Sequence, residues 1–266
     1  MISAVGVKED LSALNGTDAA SSSRMTRAAW QDFAGLYPTD EQCLASFLAL
    51  ELAEVLQGAK PANLVCLANK RRSCGRNLYL LWKEYGAGLL EQSGLKVRVL
   101  DDRGTSILLL LYSQEALGGL LAQKSVRVIL GKSGYDSVED FDAVLDQLEA
   151  RVTGQGFPHE IGVFLGYPLK DVIGFMGWVP LAFTCQGPWK IFGKPDQSLR
   201  LAECHRECRS RMSQRLASGC NPLDCLRNCI GTVADSYQQQ GTLLGQYGES
   251  EYQNRGLGAR RRATCA

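Results

Sequence analysis

Apolar residues recur along the chain with a helical period in some stretches and as short extended runs in others. Leu44, Phe47, Leu48, Leu52 and Val55 share a helical face, which predicts a helix over residues 41–56, stopped by Gly58 and Pro61. Residues 63–68 (Asn-Leu-Val-Cys-Leu-Ala) read as a short buried strand. Leu78, Leu81, Trp82, Tyr85 and Leu89 then form a stripe on a second helix, ended near Gly94. Residues 95–100 and 106–112 are strand-like, and the five residues between them suit an antiparallel hairpin with a Gly-assisted turn. Because residues 107–111 are apolar throughout, this strand should be buried on both faces and lie at the centre of the sheet.

A helix is expected from about Ser113, while residues 126–130 read equally as strand or continuing helix. Ser137-Val138-Glu139-Asp140 resembles a capping box opening a helix whose buried face is Phe141, Val144, Leu145, Leu148 and Val152. Residues 157–175 should form two short helices meeting at Gly166-Tyr167-Pro168, since Pro168 disfavours α conformation at Tyr167 and Gly166 can take the left-handed cap. Ile161, Phe164 and Leu165 should then be buried, with His159 and Glu160 near the surface of a cleft. Residues 182–192 read as extended, 196–216 as a charged helix, and one more helical segment follows Pro222.

The fold class is α+β: a single compact domain with a small antiparallel or mixed sheet covered by helices, plus a cysteine-rich helical C-terminal extension. The domain is placed at residues 39–200 and the extension at 201–240. Residues 1–38, with Ser21-Ser22-Ser23 at their centre, read as a flexible leader in which Met25 is an alternative start to Met1. Residues 241–266, ending near Arg260-Arg261-Arg262, read as a disordered basic tail.

Charge narrows the function classes. Twenty-nine basic and 28 acidic side chains give a net charge of +1, so nucleic acid is not an expected partner. No run approaches the roughly 20 apolar residues that span a bilayer, and the first 20 residues lack the apolar core of a secretory signal. A cytoplasmic protein without membrane contact is expected, and in that reducing compartment the 10 cysteines read as thiols, metal ligands or redox groups.

Two tempting motifs fail on spacing. Gly131-Lys132-Ser133 lacks the earlier glycine of a phosphate-binding loop, since Val126 stands there. His159-Glu160 lacks the second histidine of a zincin, since that position is Val163. An imidazole-dependent mechanism must therefore use His159 or His205. A Cys–His nucleophile around His159 would draw its thiol from Cys43, Cys66, Cys74 or Cys185, because the imidazole must take the thiol proton. Cys43, Cys185, His159 and Glu160 are the candidate catalytic residues, although Glu160 is poorly placed to orient a ring adjacent in sequence. The competing structural reading has His159 packing at a helix start and Glu160 complementing the helix dipole.

Cys204 and Cys208 are i, i+4 on one helix, and Cys225 and Cys229 are i, i+4 on the next. In a helical hairpin Cys208 should oppose Cys225, with Cys204 opposing Cys229. Four converging sulfurs could hold zinc or an iron–sulfur cluster, or form two disulfides. The same spacing also suits a helical extension carrying free thiols.

The run Phe157-Pro158-His159-Glu160-Ile161-Gly162-Val163-Phe164-Leu165-Gly166-Tyr167-Pro168-Leu169-Lys170-Asp171-Val172-Ile173-Gly174-Phe175 resembles the signature of a bacterial family, domain-of-unknown-function family 3793. Cys185-Gln186-Gly187-Pro188-Trp189-Lys190-Ile191-Phe192-Gly193 is similar to its Cys-x-Gly-x-Trp-Lys-Val-Tyr-Gly segment. Cys43 and Gly58-Ala59-Lys60-Pro61-Ala62-Asn63-Leu64 are similar to its N-terminal thiol and Gly-x-Lys-x-x-x-Leu turn, and Cys208 falls where that family often has a cysteine. The resemblance spans about residues 41–210. It departs at Leu44-Ala45-Ser46, where the family has Ala-Pro-Thr. What it implies is an architecture and a short residue list, not a reaction. The leading reading is an uncharacterised binding or accessory protein in metal or redox physiology; a thiol-dependent enzyme using His159 and a structural interaction module are the alternatives.

Overall fold

The computed structural model describes residues 30–154 and 156–227. Its centre is a three-stranded antiparallel sheet ordered β1-β3-β2, formed by β1 (Ala62–Ala68), β2 (Lys96–Asp102) and β3 (Ser106–Tyr112). The expected hairpin is β2–β3, and β3 is central and buried along its apolar run. Side chains alternate across a strand, so Ile107, Leu109 and Leu111 enter one apolar cluster while Leu108, Leu110 and Tyr112 enter another on the opposite face. A register shift between Val99 and Asp101 leaves Leu100 as the extra residue of β2, buried in the second cluster.

The first face is covered by α1 (Asp40–Glu51), the short α2 (Ala53–Leu56) and α3 (Leu78–Ser93). Every residue from Cys43 to Leu50 is buried, so α1 is a core helix enclosed on all sides rather than an amphipathic surface one. The single helix expected over 41–56 is interrupted at Leu52, which leaves helical geometry before α2 resumes it. Gly94 ends α3 at φ 69°, as expected.

The second face carries α4 (Gln114–Leu121), α5 (Lys124–Lys132), α6 (Phe141–Val152), α7 (Ile161–Phe164), α8 (Leu169–Phe175) and a small hairpin of β4 (Phe183–Gln186) with β5 (Lys190–Phe192). Residues 126–130, readable either way in sequence, lie within α5. The α6 cap is a correction. Asp140, not Ser137, accepts from the amides of Asp142 and Ala143, while Ser137 sits in the preceding turn at φ 52°.

The long helix α9 (Asp196–Ala217) crosses both halves: Leu201 and Ala202 pack in the second cluster, Met212 and Leu216 in the first. After it, α10 (Pro222–Arg227) docks chiefly on α1 and α3, with Cys225 and Leu226 buried there. The cysteine-rich segment is thus integral to the packing.

The leader boundary also moves. Trp30, Phe33, Ala34 and Tyr37 lie in two short 3-10 turns or beside them and are buried in the first cluster. Trp30 meets Phe47 edge to face at 5.6 Å and donates its Nε1–H to Ser46 Oγ at 3.0 Å. Residues 30–38 therefore belong to the domain. A mostly Ser/Ala/Thr/Gly stretch concealed four anchoring side chains.

Candidate functional site

The three segments that carry the family resemblance are far apart in sequence and meet in space. The first is the turn after α2, where Gly58 at φ 72° reverses the chain and presents Lys60. Lys60 is buried; its Nζ donates to Asn63 Oδ1 at 2.7 Å and lies 5.3 Å from the centre of the Tyr167 ring. Asn63 in turn donates to the carbonyl of Glu51 at 2.5 Å, tying the turn to α1.

Tyr167 comes from the second segment. Gly166 at φ 71° ends α7, and α8 starts after Pro168, so the two short helices meet where the sequence predicts. Ile161, Phe164 and Leu165 are buried as expected. The Tyr167 ring stacks on Trp189 of the third segment, with centroids 4.6 Å apart and planes 19° off parallel. On α8, Gly174 permits the close approach of β5: a Cβ there would stand 2.8 Å from the Phe192 ring.

Asp171 holds this junction together. Its carboxylate is 2% exposed and accepts four hydrogen bonds. Oδ2 takes the Trp189 Nε1–H at 2.8 Å and the Ser198 hydroxyl at 2.6 Å; Oδ1 takes the Phe192 amide at 2.9 Å and Lys170 Nζ at 2.7 Å. Lys170 also donates to the Phe192 carbonyl at 2.8 Å. A buried carboxylate is tolerated only when its lone pairs are met in this way. One side chain thus joins α8, the β4–β5 hairpin and α9. Sequence reading saw in Asp171 only a favourable first-turn acid. Its partners Trp189 and Ser198 lie 18 and 27 positions away, beyond the reach of periodicity.

His205 approaches from α9 and is also buried. Its Nε2 lies 3.1 Å from the Ala59 carbonyl, so Nε2 carries the proton, and its ring is 5.9 Å from Trp189. Burial, then the nearby Lys60 ammonium, push its pKa down to about 3, so the ring is neutral. Nearby Glu54 is buried on α2, and burial raises its pKa above the usual carboxylate range.

A shallow depression with about 20 Å³ of free space, room for little more than a water, opens over this junction, lined by His159, Tyr167, Asp171, Phe175, Trp189 and Lys190 among others. His159 is exposed, its ring edge-on to Phe175 at 5.1 Å. Lys190 Nζ lies 5.4 Å from the Phe175 ring and has no ion pair among the described residues. On the other side of His159 a broader, open concavity includes Arg151, Glu160, Met176 and Trp178.

Glu160 corrects the expectation of a surface group. It is 3% exposed, and Arg151 Nε donates to its Oε1 at 2.6 Å. Placed just before α7, its side chain turns back toward α6, where the guanidinium supplies the partner that burial demands. Its other neighbour is the Tyr135 hydroxyl, whose pKa is raised by burial and by Glu160.

The candidate thiols are not gathered around His159. Cys43 is buried in α1 within the first cluster, whereas His159 sits against residues of the second, so the sheet lies between them. Burial pushes the Cys43 thiol up to about 11, against the opposing influence of Arg76, which makes it a poor nucleophile at neutral pH. Cys185 is half-buried, pairs with Ile191 across the small hairpin, and lines neither depression. Cys66 is exposed on β1 and Cys74 half-buried beyond it.

Of the four cysteines expected to converge, Cys204 and Cys208 are neighbours on α9, and a hydrogen bond from the Cys208 thiol is the main influence pulling Cys204 down to about 7. Cys225 packs with Met212 and Leu216 in the first cluster, which does not include Cys208. Helical rise explains why. Cys208 is ten residues, or about 15 Å, from Ser218, whereas Cys225 is only four positions beyond Asn221. The two inner cysteines are unequally far from the loop and do not meet. Cys229 lies outside the described residues. Among the described residues no three His, Cys, Asp or Glu side chains come together as a metal site requires, and no helix is long and apolar enough to cross a membrane.

A family model described as "Protein of unknown function (DUF3793)" matches residues 48–226, from within α1 to within α10. No curated protein and no solved structure matches the chain.

Proposed function

Given that the chain belongs to the family of unknown function DUF3793, we propose that it is a binding or accessory protein. Its ligand, a small anion with a planar group, would lie across the mouth of the depression lined by His159, Phe175, Trp189 and Lys190. One observation carries this reading. Lys190 stands at an aromatic-walled depression with no carboxylate paired to it among the described residues, while the oxygens of nearby Asp171 are already saturated by protein donors. Lys170 and Lys190 stand by that one carboxylate, so the mouth of the depression carries a positive excess that favours an anion. His159 can add a hydrogen bond, and the half-buried Phe175 offers an apolar edge.

The Cys–His enzyme reading has less support, since neither concavity bordered by His159 is lined by a cysteine. A metal role has no three-donor set behind it among the described residues. A redox role would enter through the thiols, eight of which form no disulfide among the described residues, a state that suits a reducing compartment such as the cytoplasm.

The test is a titration with benzoate and, separately, inorganic phosphate, followed through the NMR signal of the Trp189 indole N–H. A saturable shift that disappears in Lys190→Ala and persists in Cys43→Ser is expected. No saturable response to either probe, or a response unaffected by Lys190→Ala, would count against the site.

A further inference from the structure

Helix α9 carries a second chemically distinctive group that the depression does not use. Cys204 and Cys208 stand one turn apart on the same face. The two are unequally placed: Cys204 is half-exposed, whereas Cys208 is fully buried behind it. Arg211, one turn further on, donates from Nη2 to Cys208 Sγ at 3.3 Å. Gln57 fixes the backbone at the same place, donating from Nε2 to the Cys208 carbonyl at 2.8 Å and accepting Arg211 Nε at 2.9 Å through Oε1. An accessible sulfur, a sheltered sulfur one helical turn away and a cation held on the sheltered one are thus assembled from two elements.

We propose that Cys204 is a site of oxidation by hydroperoxides and that Cys208 is its resolving thiol. The Cys204 thiolate attacks the outer oxygen of a hydroperoxide, the O–O bond breaks, and the product is Cys204 sulfenic acid plus the alkoxide or hydroxide, which takes up a proton. The Cys208 sulfur then attacks Cys204 sulfur, expelling the hydroxyl group, which leaves as water with the Cys208 proton. Two thiols and one peroxide become one disulfide, one water and one alcohol, or a second water when the oxidant is hydrogen peroxide. The peroxide is reduced by two electrons.

The arrangement supports each step. Cys208, one turn away, pulls the Cys204 thiol down to about 7, and Arg211 on the Cys208 sulfur offsets the negative charge that develops there. Cys208 itself is pushed up by Cys204 and by burial, so it keeps its proton until the second step. Disulfides need Cβ atoms about 3.5–4.5 Å apart, and helical i, i+4 positions hold them at about 5–6 Å. Closure therefore bends α9 between the two cysteines, which leaves a strained, readily reduced bond. The proposal is independent of the anion site, and failure of either leaves the other standing.

The experiment treats the reduced full chain with one equivalent of hydrogen peroxide at neutral pH and maps every cysteine by mass spectrometry after alkylation. The expected first product is the peptide holding Cys204 and Cys208, lighter by two hydrogens and restored by dithiothreitol. It should form ahead of any change at Cys66 or Cys220, which are both more exposed. In Cys208→Ser the same treatment should leave a dimedone adduct on Cys204; in Cys204→Ser, Cys208 should stay reduced. Oxidation of Cys66 or Cys220 first, no dimedone adduct in Cys208→Ser, or over-oxidation of Cys204 beside an untouched Cys208 in the native chain would each overturn the assignment.

Discussion

The two faces of the central sheet are held by different physics. Behind Ile107, Leu109 and Leu111 the layer is mostly apolar, and its buried polar groups are scattered: Ser46 with the Trp30 indole, the Tyr37 hydroxyl on the Leu216 carbonyl, and Glu54 on α2. Behind Leu108, Leu110 and Tyr112 the layer holds two buried carboxylates, Glu160 and Asp171, each tied to a specific partner set. The first face is a volume problem, in which many side chains of similar size would serve. The second is a matching problem, in which each donor must find its acceptor. The concavities lie on the second face, where the positions of individual polar groups are enforced.

The contrast is tested most strongly at Asp171. Asp171→Ala leaves the Trp189 N–H, the Ser198 hydroxyl, the Phe192 amide and Lys170 without their acceptor, and should cost about 3–5 kcal/mol in chemical denaturation. Asp171→Asn should recover little, because its amide presents N–H groups to donors. On the apolar face Leu48→Ala should cost about 2–5 kcal/mol. Leu48→Met, which conserves volume, should cost less than about 1.5 kcal/mol. Equal recovery by Asn and Met would erase the distinction between the faces.

An intermediate effect is expected at His205, whose pKa of about 3 lies below its usual value of 6.5. In that interval the unfolded chain binds a proton that the folded chain refuses, so stability falls as pH falls from 6.5 toward 3. The slope is about 1.4 kcal/mol per pH unit from this one group. His205→Gln should flatten the acid limb of a stability–pH curve by that amount; an unchanged limb would place the ring in water. Glu54, with its raised pKa, acts in the opposite sense, contributing stability at low pH that is lost as pH rises.

The smallest effect should come from the surface. Arg98 on β2 reaches Asp146 and Glu149 on α6, but the carboxylates are well exposed. Arg98→Ala should cost less than about 1 kcal/mol, and less still in high salt.

How far the sequence could be read follows the same division. The long helices, the β2–β3 hairpin, the buried central strand and the Gly166 break were legible because each is a local pattern of apolar spacing or turn chemistry. The α6 start was misplaced by three residues because Ser137 and Asp140 are both good caps, and the turn conformation decided between them. Trp30 and Tyr37 were hidden because isolated aromatic anchors have no period. At the candidate site, His159 was found from its rarity and Lys60, Tyr167 and Trp189 from resemblance. The roles of Asp171 and His205 depend on partners brought in from other elements, which no local window contains.

The Tyr37 hydroxyl reaches the Leu216 carbonyl at 2.9 Å and that of Cys220 at 3.0 Å, across 179 and 183 positions of chain. At a synthesis rate of about 5–20 residues per second, roughly 10–35 s separate the emergence of Tyr37 from that of its partners. Throughout that interval α1, a helix with no solvent-compatible side, has neither α9 nor α10 to lie against. A nascent chain of this design exposes its most fully buried helix first and receives the cover last. Its yield in a cell should therefore depend on whatever shields residues 43–50 while the ribosome is still at work.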